Sequence, residues 1–326
     1  MAQTNILLEA GTNELEIVEF YLDEDTPSTS DPTKKYRGYY GVNVAKVLEI
    51  IRLTHVTELP EVSHPSVLGA FRQRSHVIPL VDLSIWLGKS RVESESPKVI
   101  VTEFNNVTTA FLVSGVTRIH RMSWEAVEPP NTYVSSLSGD CITGVVKFED
   151  RIVFLLDLEK MVADINPGLG LRLDLDITWD ASKTYRALIA DDSVLIRHML
   201  KDLLEKAHFQ VEAVQNGREA WDRLLEIKAR AEKENTNIED YLQVVVSDIE
   251  MPSMDGHNLT KRIKEDPILK RLPVILFSSL ITDKLRHKGL AVGADDQISK
   301  PEVGALALRA MHLIEEKLDM VANSSA

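Results

Sequence analysis

The chain has 326 residues, 44% of them hydrophobic and 27% charged, with a formal net charge of −13. That length points to two domains, and the apolar share suffices for two cores with no bias towards disorder. The acidic balance excludes a phosphate-gripping surface, which needs clustered Lys and Arg, so no nucleic-acid partner is expected.

The longest apolar runs, such as 244–246 and 152–156, have the length of buried strands, so no membrane insertion is expected. Residues 1–10 lack the basic flank and long apolar stretch of a signal peptide. The single cysteine, Cys141, suits a reducing compartment, and a cytoplasmic protein is expected. In the apolar run 141–146, with no basic neighbour, Cys141 reads as a core residue rather than a reactive thiol.

From residue 13 to about 163 the chain reads as one strand after another. Residues 14–20 alternate polar and apolar, the pattern of a half-buried strand. Strand-like runs follow at 40–44, 77–81, 99–102, 109–113, 144–148 and 152–156, separated by turn-rich stretches. That spacing predicts an all-β barrel or sandwich. Residues 23–31, rich in Asp, Thr, Ser and Pro, read as an exposed loop, and 166–183 as a linker.

After Thr184 the rhythm changes to alternating strands and helices. Strands are expected at 185–190, 210–214, 243–247, 274–277 and 297–299. Helices are expected at 194–207, 218–233, 258–264, 283–290 and 302–318. Five strands each followed by a helix imply an α/β doubly wound parallel sheet covered on both faces. Its functional crevice belongs at the carboxyl ends of the strands.

Those ends carry Asp191 and Asp192, Asp248, Ser278 and Ser279, and Lys300 followed by Pro301. Any one of them alone would read as a solvated loop residue. Together they place three carboxylates at one edge, where they repel unless a hard cation such as Mg²⁺ joins them. An aspartate can act as nucleophile and carry an acyl phosphate. Phosphoryl transfer then needs positioning and charge stabilisation, for which Lys300 and Ser278 have the right chemistry. Asp191 and Asp192 would hold the metal, and the backbone carbonyl of Glu250 could complete its coordination.

The motifs Ala190-Asp191-Asp192-Ser193 and 247–256 (SDIEMPSMDG), with Ser278 and Lys300-Pro301, together resemble a response-regulator receiver domain over residues 184–321. The resemblance implies a flavodoxin-like fold, Asp248 as phosphoacceptor, a phosphohistidine donor on a kinase, and a cis Lys300–Pro301 bond. It also implies autodephosphorylation. Two departures stand out. Gln297 occupies the position where such receivers carry an aromatic residue that rotates inward. The interval from Asp192 to Asp248, 56 positions, is long, with the excess at 227–240 expected to extend the second helix as a solvated charged segment.

The amino-terminal half shows no catalytic constellation. Its histidines, His55, His64, His76 and His120, lack metal-ligand spacing, and no phosphate loop or nucleophile elbow occurs. Segments 39–51, 77–88 and 143–160 are similar to the CheW-like coupling domain over residues 11–165. That resemblance implies two small five-stranded barrels that bind a CheA-type chemotaxis histidine kinase and the cytoplasmic tips of chemoreceptors. Arg74 matches a family arginine near the receptor-facing surface, with Ser75 replacing the glycine that usually follows. A solvated loop charge is the other reading of Arg74. The two halves in this order, with the opening 6–17, resemble the CheV family of chemotaxis proteins.

The implied function is a chemotaxis adaptor recruited to membrane-associated receptor arrays and regulated by Mg²⁺-dependent phosphorylation of Asp248, as feedback on the kinase. The alternative is a phosphate sink that drains phosphoryl groups from that kinase. A transcriptional regulator is not expected, because no helix-turn-helix follows residue 321.

Overall fold

The computed structural model describes residues 11–27, 35–62, 64–90, 92–104, 107–131, 141–165, 183–279 and 283–324. The expected linker lies outside these residues, save for Lys183. The described chain forms two compact units, one of residues 15–122 and 126–165, the other of 11–14, 123–125 and 183–324.

The first unit is built on two sheets. Its elements are β1 (Glu14–Pro27), β2 (Lys35–Asn43), β3 (Val47–Arg52), β4 (Val67–Gln73), β5 (His76–Asp82), α1 (Leu83–Trp86), β6 (Lys98–Phe104) and β7 (Val107–Val113). They continue with β8 (Gly115–Ser123), β9 (Val127–Glu128), β10 (Ile142–Lys147), β11 (Ile152–Leu156) and α2 (Leu158–Ile165). One sheet has the order β8-β1-β2-β11-β10-β9, the other β3-β6-β7-β5-β4. The two five-stranded barrels expected from the family correspond to these two sheets, the first carrying a two-residue extra strand, β9. Both sheets feed one core, where Phe20 and Val42 meet Ile100, Phe111 and Met161. Cys141 is buried within it, as read from the sequence.

Two local expectations change. Strand β1 runs through Pro27, so residues 23–27 are strand rather than loop. Asp23 faces Arg37 across the β1–β2 ladder, and the opposite charges bond at 2.7 Å while the guanidinium covers the Tyr21 ring. In addition, β1 is buried on both faces, since Ile17, Val18, Glu19 and Phe20 are all inaccessible.

Glu19 is therefore a carboxylate inside the unit. Arg151 grips it with two nitrogens, at 2.8 and 3.0 Å, and His120 bonds its other side. Burial pushes the carboxyl pKa up, but these partners outweigh burial and hold it below the ordinary glutamate value. Removing one partner from such a cluster leaves the other charge uncompensated. Glu19→Gln should lower the free energy of unfolding by about 3 kcal/mol, read by urea titration; an unchanged midpoint would show that the cluster contributes nothing.

The second unit runs β12 (Tyr185–Ala190), α3 (Val194–Lys206), β13 (Phe209–Val214), α4 (Gly217–Glu234), β14 (Val244–Asp248), α5 (Gly256–Glu265), β15 (Val274–Ser278), α6 (Asp283–Ala291), β16 (Asp296–Ser299) and α7 (Leu306–Ser324). Its parallel strands lie in the order β13-β12-β14-β15-β16, a doubly wound sheet. Period-two alternation divides β14 between two cores: Val244 and Val246 pack with Leu203 and Ala307, Val245 with Leu224 and Leu259. Side-chain caps set the helix starts, Ser193 for α3, Asn216 for α4 and Asp255 for α5. Helix α4 absorbs the excess length, running 18 residues to Asn235 in the left-handed conformation. Its extension is charged outside, with an Arg230–Glu234 pair, and buries Ile227 and Ala231 inside.

Candidate functional site

Parallel register assembles the site. Strand pairs Ala190↔Ser247, Asp248↔Phe277 and Ser278↔Ser299 bring the carboxyl ends of β12, β14, β15 and β16 to one edge. There one carboxylate oxygen each of Asp191, Asp192 and Asp248 lies within 4.8 Å of the others. Lys300 Nζ stands 3.3 Å from Asp248 Oδ2 and 3.7 Å from Asp191 Oδ2. Ser278, at the end of β15, is also buried, and Glu250 follows Asp248 by two residues at the half-exposed rim. The sequence-named residues of the second unit thus share one sheet edge, while Arg74 belongs to the first unit.

The charges are not balanced. Asp191 is completely buried; its Oδ1 accepts the Ser193 N–H at 2.8 Å, but Oδ2 accepts no hydrogen bond. Burial drives the Asp191 pKa well above the ordinary carboxylate range; the Lys300 ammonium opposes this and the neighbouring Asp248 reinforces it. An orphaned buried carboxylate oxygen beside two further carboxylates is a donor set of hard oxygens, which fits Mg²⁺. Arg197, which no sequence motif marks, donates to the Asp191 carbonyl at 2.6 Å and locks the β12–α3 turn.

The loop after Asp248 is closed tightly. Asp248 Oδ1 accepts the Ile249 N–H at 2.7 Å, and Gly256 N–H reaches the Ile249 carbonyl at 2.9 Å. A Cβ on Gly256 would stand 2.1 Å from the Asp248 carbonyl oxygen, so only glycine permits this approach. Between them, Met254 N–H bonds the Pro252 carbonyl across Ser253, whose φ is 67°, the strained geometry of a γ-turn.

Lys300 opens a short 3-10 helix (Lys300–Ala305) with Pro301 in its first turn. No cis peptide bond occurs among the described residues, in contrast to the expectation for Lys300–Pro301. A proline there supplies the φ that a helical start requires, which a trans bond satisfies. Gln297 is buried; its Nε2 donates to the Arg286 carbonyl at 2.9 Å and its Oε1 accepts no bond. A Cβ at Gly289 would lie 2.5 Å from that amide, so α6 packs directly on it. Arg74 sits in the exposed two-residue turn between β4 and β5 with φ 52°, its carbonyl accepting from Arg72 Nε.

The chain matches the CheW-like domain over residues 35–166 and the response regulator receiver domain over residues 187–311. Chemotaxis protein CheV3 of Helicobacter pylori is 34% identical over 292 residues, spanning 86% of this chain and 89% of that protein. This chain belongs to the CheV family. CheV2 and CheV1 of the same organism share 31% and 24% identity over 281 and 284 residues, covering 81% and 82% of this chain and 86% of each relative. The CheV architecture makes the chain a chemotaxis signalling adaptor of the scaffold and response-regulator type. Among the described residues no helix is long and apolar enough to cross a membrane.

Two buried titratable groups flank the CheV site at the start of α5. Burial, reinforced by Lys288, lowers the His257 pKa to about 4, and its Nε2 has no hydrogen-bond partner. Burial raises Asp255 to about 6, against the Asn258 and His257 backbone amides. Between pH 6.5 and 4 the unfolded chain binds a proton at residue 257 that the folded chain refuses, so His257 removes stability as pH falls. Asp255 works in the opposite sense between pH 6 and 3.8, because there the folded state holds the extra proton. His257→Gln should therefore gain stability relative to wild type as pH drops from 6.5 towards 4, by up to about 1.4 kcal/mol per pH unit in denaturant titrations. A pH-independent difference would show that His257 titrates normally.

Proposed function

We propose that the protein couples chemoreceptors to a CheA-type histidine kinase, and that a phosphoryl group accepted by Asp248 regulates this coupling. The carrying observation is the buried, unbalanced cluster of Asp191, Asp248 and Lys300 at the strand ends. In this reading residues 11–165 form the coupling domain, 166–183 the linker and 184–321 the receiver. The protein is cytoplasmic and joins membrane-associated receptor arrays, with exposed Arg74 on the partner-facing surface.

Asp191, Asp192, Asp248 and the Glu250 carbonyl would hold Mg²⁺, which neutralises charge on the oxygens of the transferring phosphoryl group. An Asp248 carboxylate oxygen forms the new P–O bond as the P–N bond to the donor histidine breaks. The Lys300 ammonium, already aimed at Asp248 Oδ2, donates to a phosphoryl oxygen, and the Ser278 hydroxyl donates to another. The added group brings nearly two negative charges, enough to bias a two-state element next to the site. Water attack on the acyl phosphate returns Asp248 and inorganic phosphate, so the signal decays within the chain itself.

Incubation with a small phosphodonor and Mg²⁺ should add one phosphoryl mass to the wild type and none to Asp248→Asn. An equal adduct on that variant would refute the assignment. Lys300→Ala should still accept phosphoryl groups but show little of the wild-type change in amide exchange around β15 and α6; an identical exchange response would remove Lys300 from the switch. Reconstituted with receptors and kinase, Asp248→Ala should keep coupling and lose its dependence on phosphorylation. If coupling proves indifferent to phosphorylation while competing regulators gain phosphate, the protein is instead a sink.

A further inference from the structure

The compact unit that contains the site also takes in residues 11–14 and 123–125, which are continuous along the chain with β1 and β8. These residues hold the loop that follows Asp248. Asn13, 7% exposed, accepts the Asp255 N–H at 2.9 Å through Oδ1, while its Nδ2 donates to the Ser253 carbonyl at 3.4 Å. The Trp124 carbonyl accepts the Ser253 N–H at 3.0 Å, and the Trp124 N–H donates to the Asn13 carbonyl at 2.8 Å. Asn258 closes the set by donating to the Gly11 carbonyl at 2.9 Å.

The backbone is shaped for this contact. Gly11, Asn13 and Ser253 all have positive φ, at 75°, 60° and 67°. A Cβ on Gly11 would strike Lys261 Cδ at 2.8 Å. Residues other than glycine keep a positive φ only where their surroundings over-determine it, and here Asn13 and Ser253 hold each other through the Asn13 Nδ2 bond and Trp124. The base of the loop is fixed to Asp248 through Gly256, so its tip cannot move without disturbing the Asn13 bonds.

We infer that residues 11–13 and 124 form a latch on the phosphoacceptor loop, so that occupancy of Asp248 and the hold on the chain entering β1 oppose each other. This rests on Asp248 being the phosphoacceptor. A latch holds the loop in its strained turn, whereas a phosphoryl group and its metal draw on the same loop at Asp248 and Glu250. Coupling between two such equilibria is reciprocal: a ligand that loosens the latch binds more tightly when the latch is cut.

The test uses the full chain and the phosphoryl mimic beryllofluoride with Mg²⁺. Asn13→Gly tolerates the positive φ and deletes only the side-chain bonds. It should bind beryllofluoride about three- to tenfold more tightly than wild type, the factor carried by one or two hydrogen bonds of ordinary net strength. Asn258→Ala, which cuts the bond to Gly11 instead, should shift affinity in the same direction and guards against a folding defect peculiar to the first variant. In wild type, beryllofluoride should speed amide exchange at Ser253 and Asp255. Wild-type affinity within twofold in both variants, or weaker binding, would overturn the latch while leaving the phosphoacceptor in place. No beryllofluoride binding by wild type would sink the phosphoacceptor reading, and the latch with it.

Discussion

Three carboxylates gathered at one sheet edge, with the Lys300 ammonium beside Asp191 and Asp248, are the constraint to which the second unit answers. The strands deliver the charges because parallel register stacks their carboxyl ends, and the strands stay in register because both faces are packed with aliphatic side chains. Nothing in the packing requires the acids. Asp191 is held out of water with an oxygen that accepts no hydrogen bond, a cost that an apolar residue there would remove. That cost is what the proposed cation would offset, and the close approach of Gly256 and the Arg197 bond hold the surrounding backbone in place.

The first unit holds a buried acid of the opposite kind. Glu19 is as inaccessible as Asp191, yet Arg151 and His120 meet both of its oxygens. At Glu19 the partners together outweigh burial and lower the pKa, whereas at Asp191 burial outweighs the Lys300 ammonium and raises it. This contrast separates a matched ion cluster from one with an unmatched carboxylate, and it uses burial and partners rather than residue type.

Much of this was legible in the primary structure. The strand–helix alternation after residue 184 placed all five parallel strands, and acids at their ends marked the crevice, because doubly wound topology leaves little freedom. Less was legible in the β-rich half. Strands β3 and β8 escaped because their exposed apolar residues, such as Leu48, Ile50 and Ile119, blur the alternation that signals a face, and β4 because Gly69, Ala70 and Phe71 are buried in succession. The Glu19 cluster joins residues about a hundred positions apart with no motif, and Glu19 itself had the look of a solvent-facing residue in an alternating strand. Asn13 and His257 gave no signal either, since their roles depend on which distant backbone atoms surround them. Gln297 was visible as a departure, but only the structure shows its amide bonded to the Arg286 carbonyl beneath α6.

The nesting of the two sheets in the first unit also sets a schedule for synthesis on the ribosome. Every strand of the β3-β6-β7-β5-β4 sheet lies between residues 47 and 113, so that sheet can complete early. The other sheet cannot: β2 pairs in parallel with β11, Tyr39 opposite Val153, and must wait for a partner made more than a hundred residues later. During that interval one edge of β2 is exposed, a liability for any emerging strand. Closure of such distant pairs is also slow, so arrival of β11 is the step that ends the nascent chain's vulnerable period.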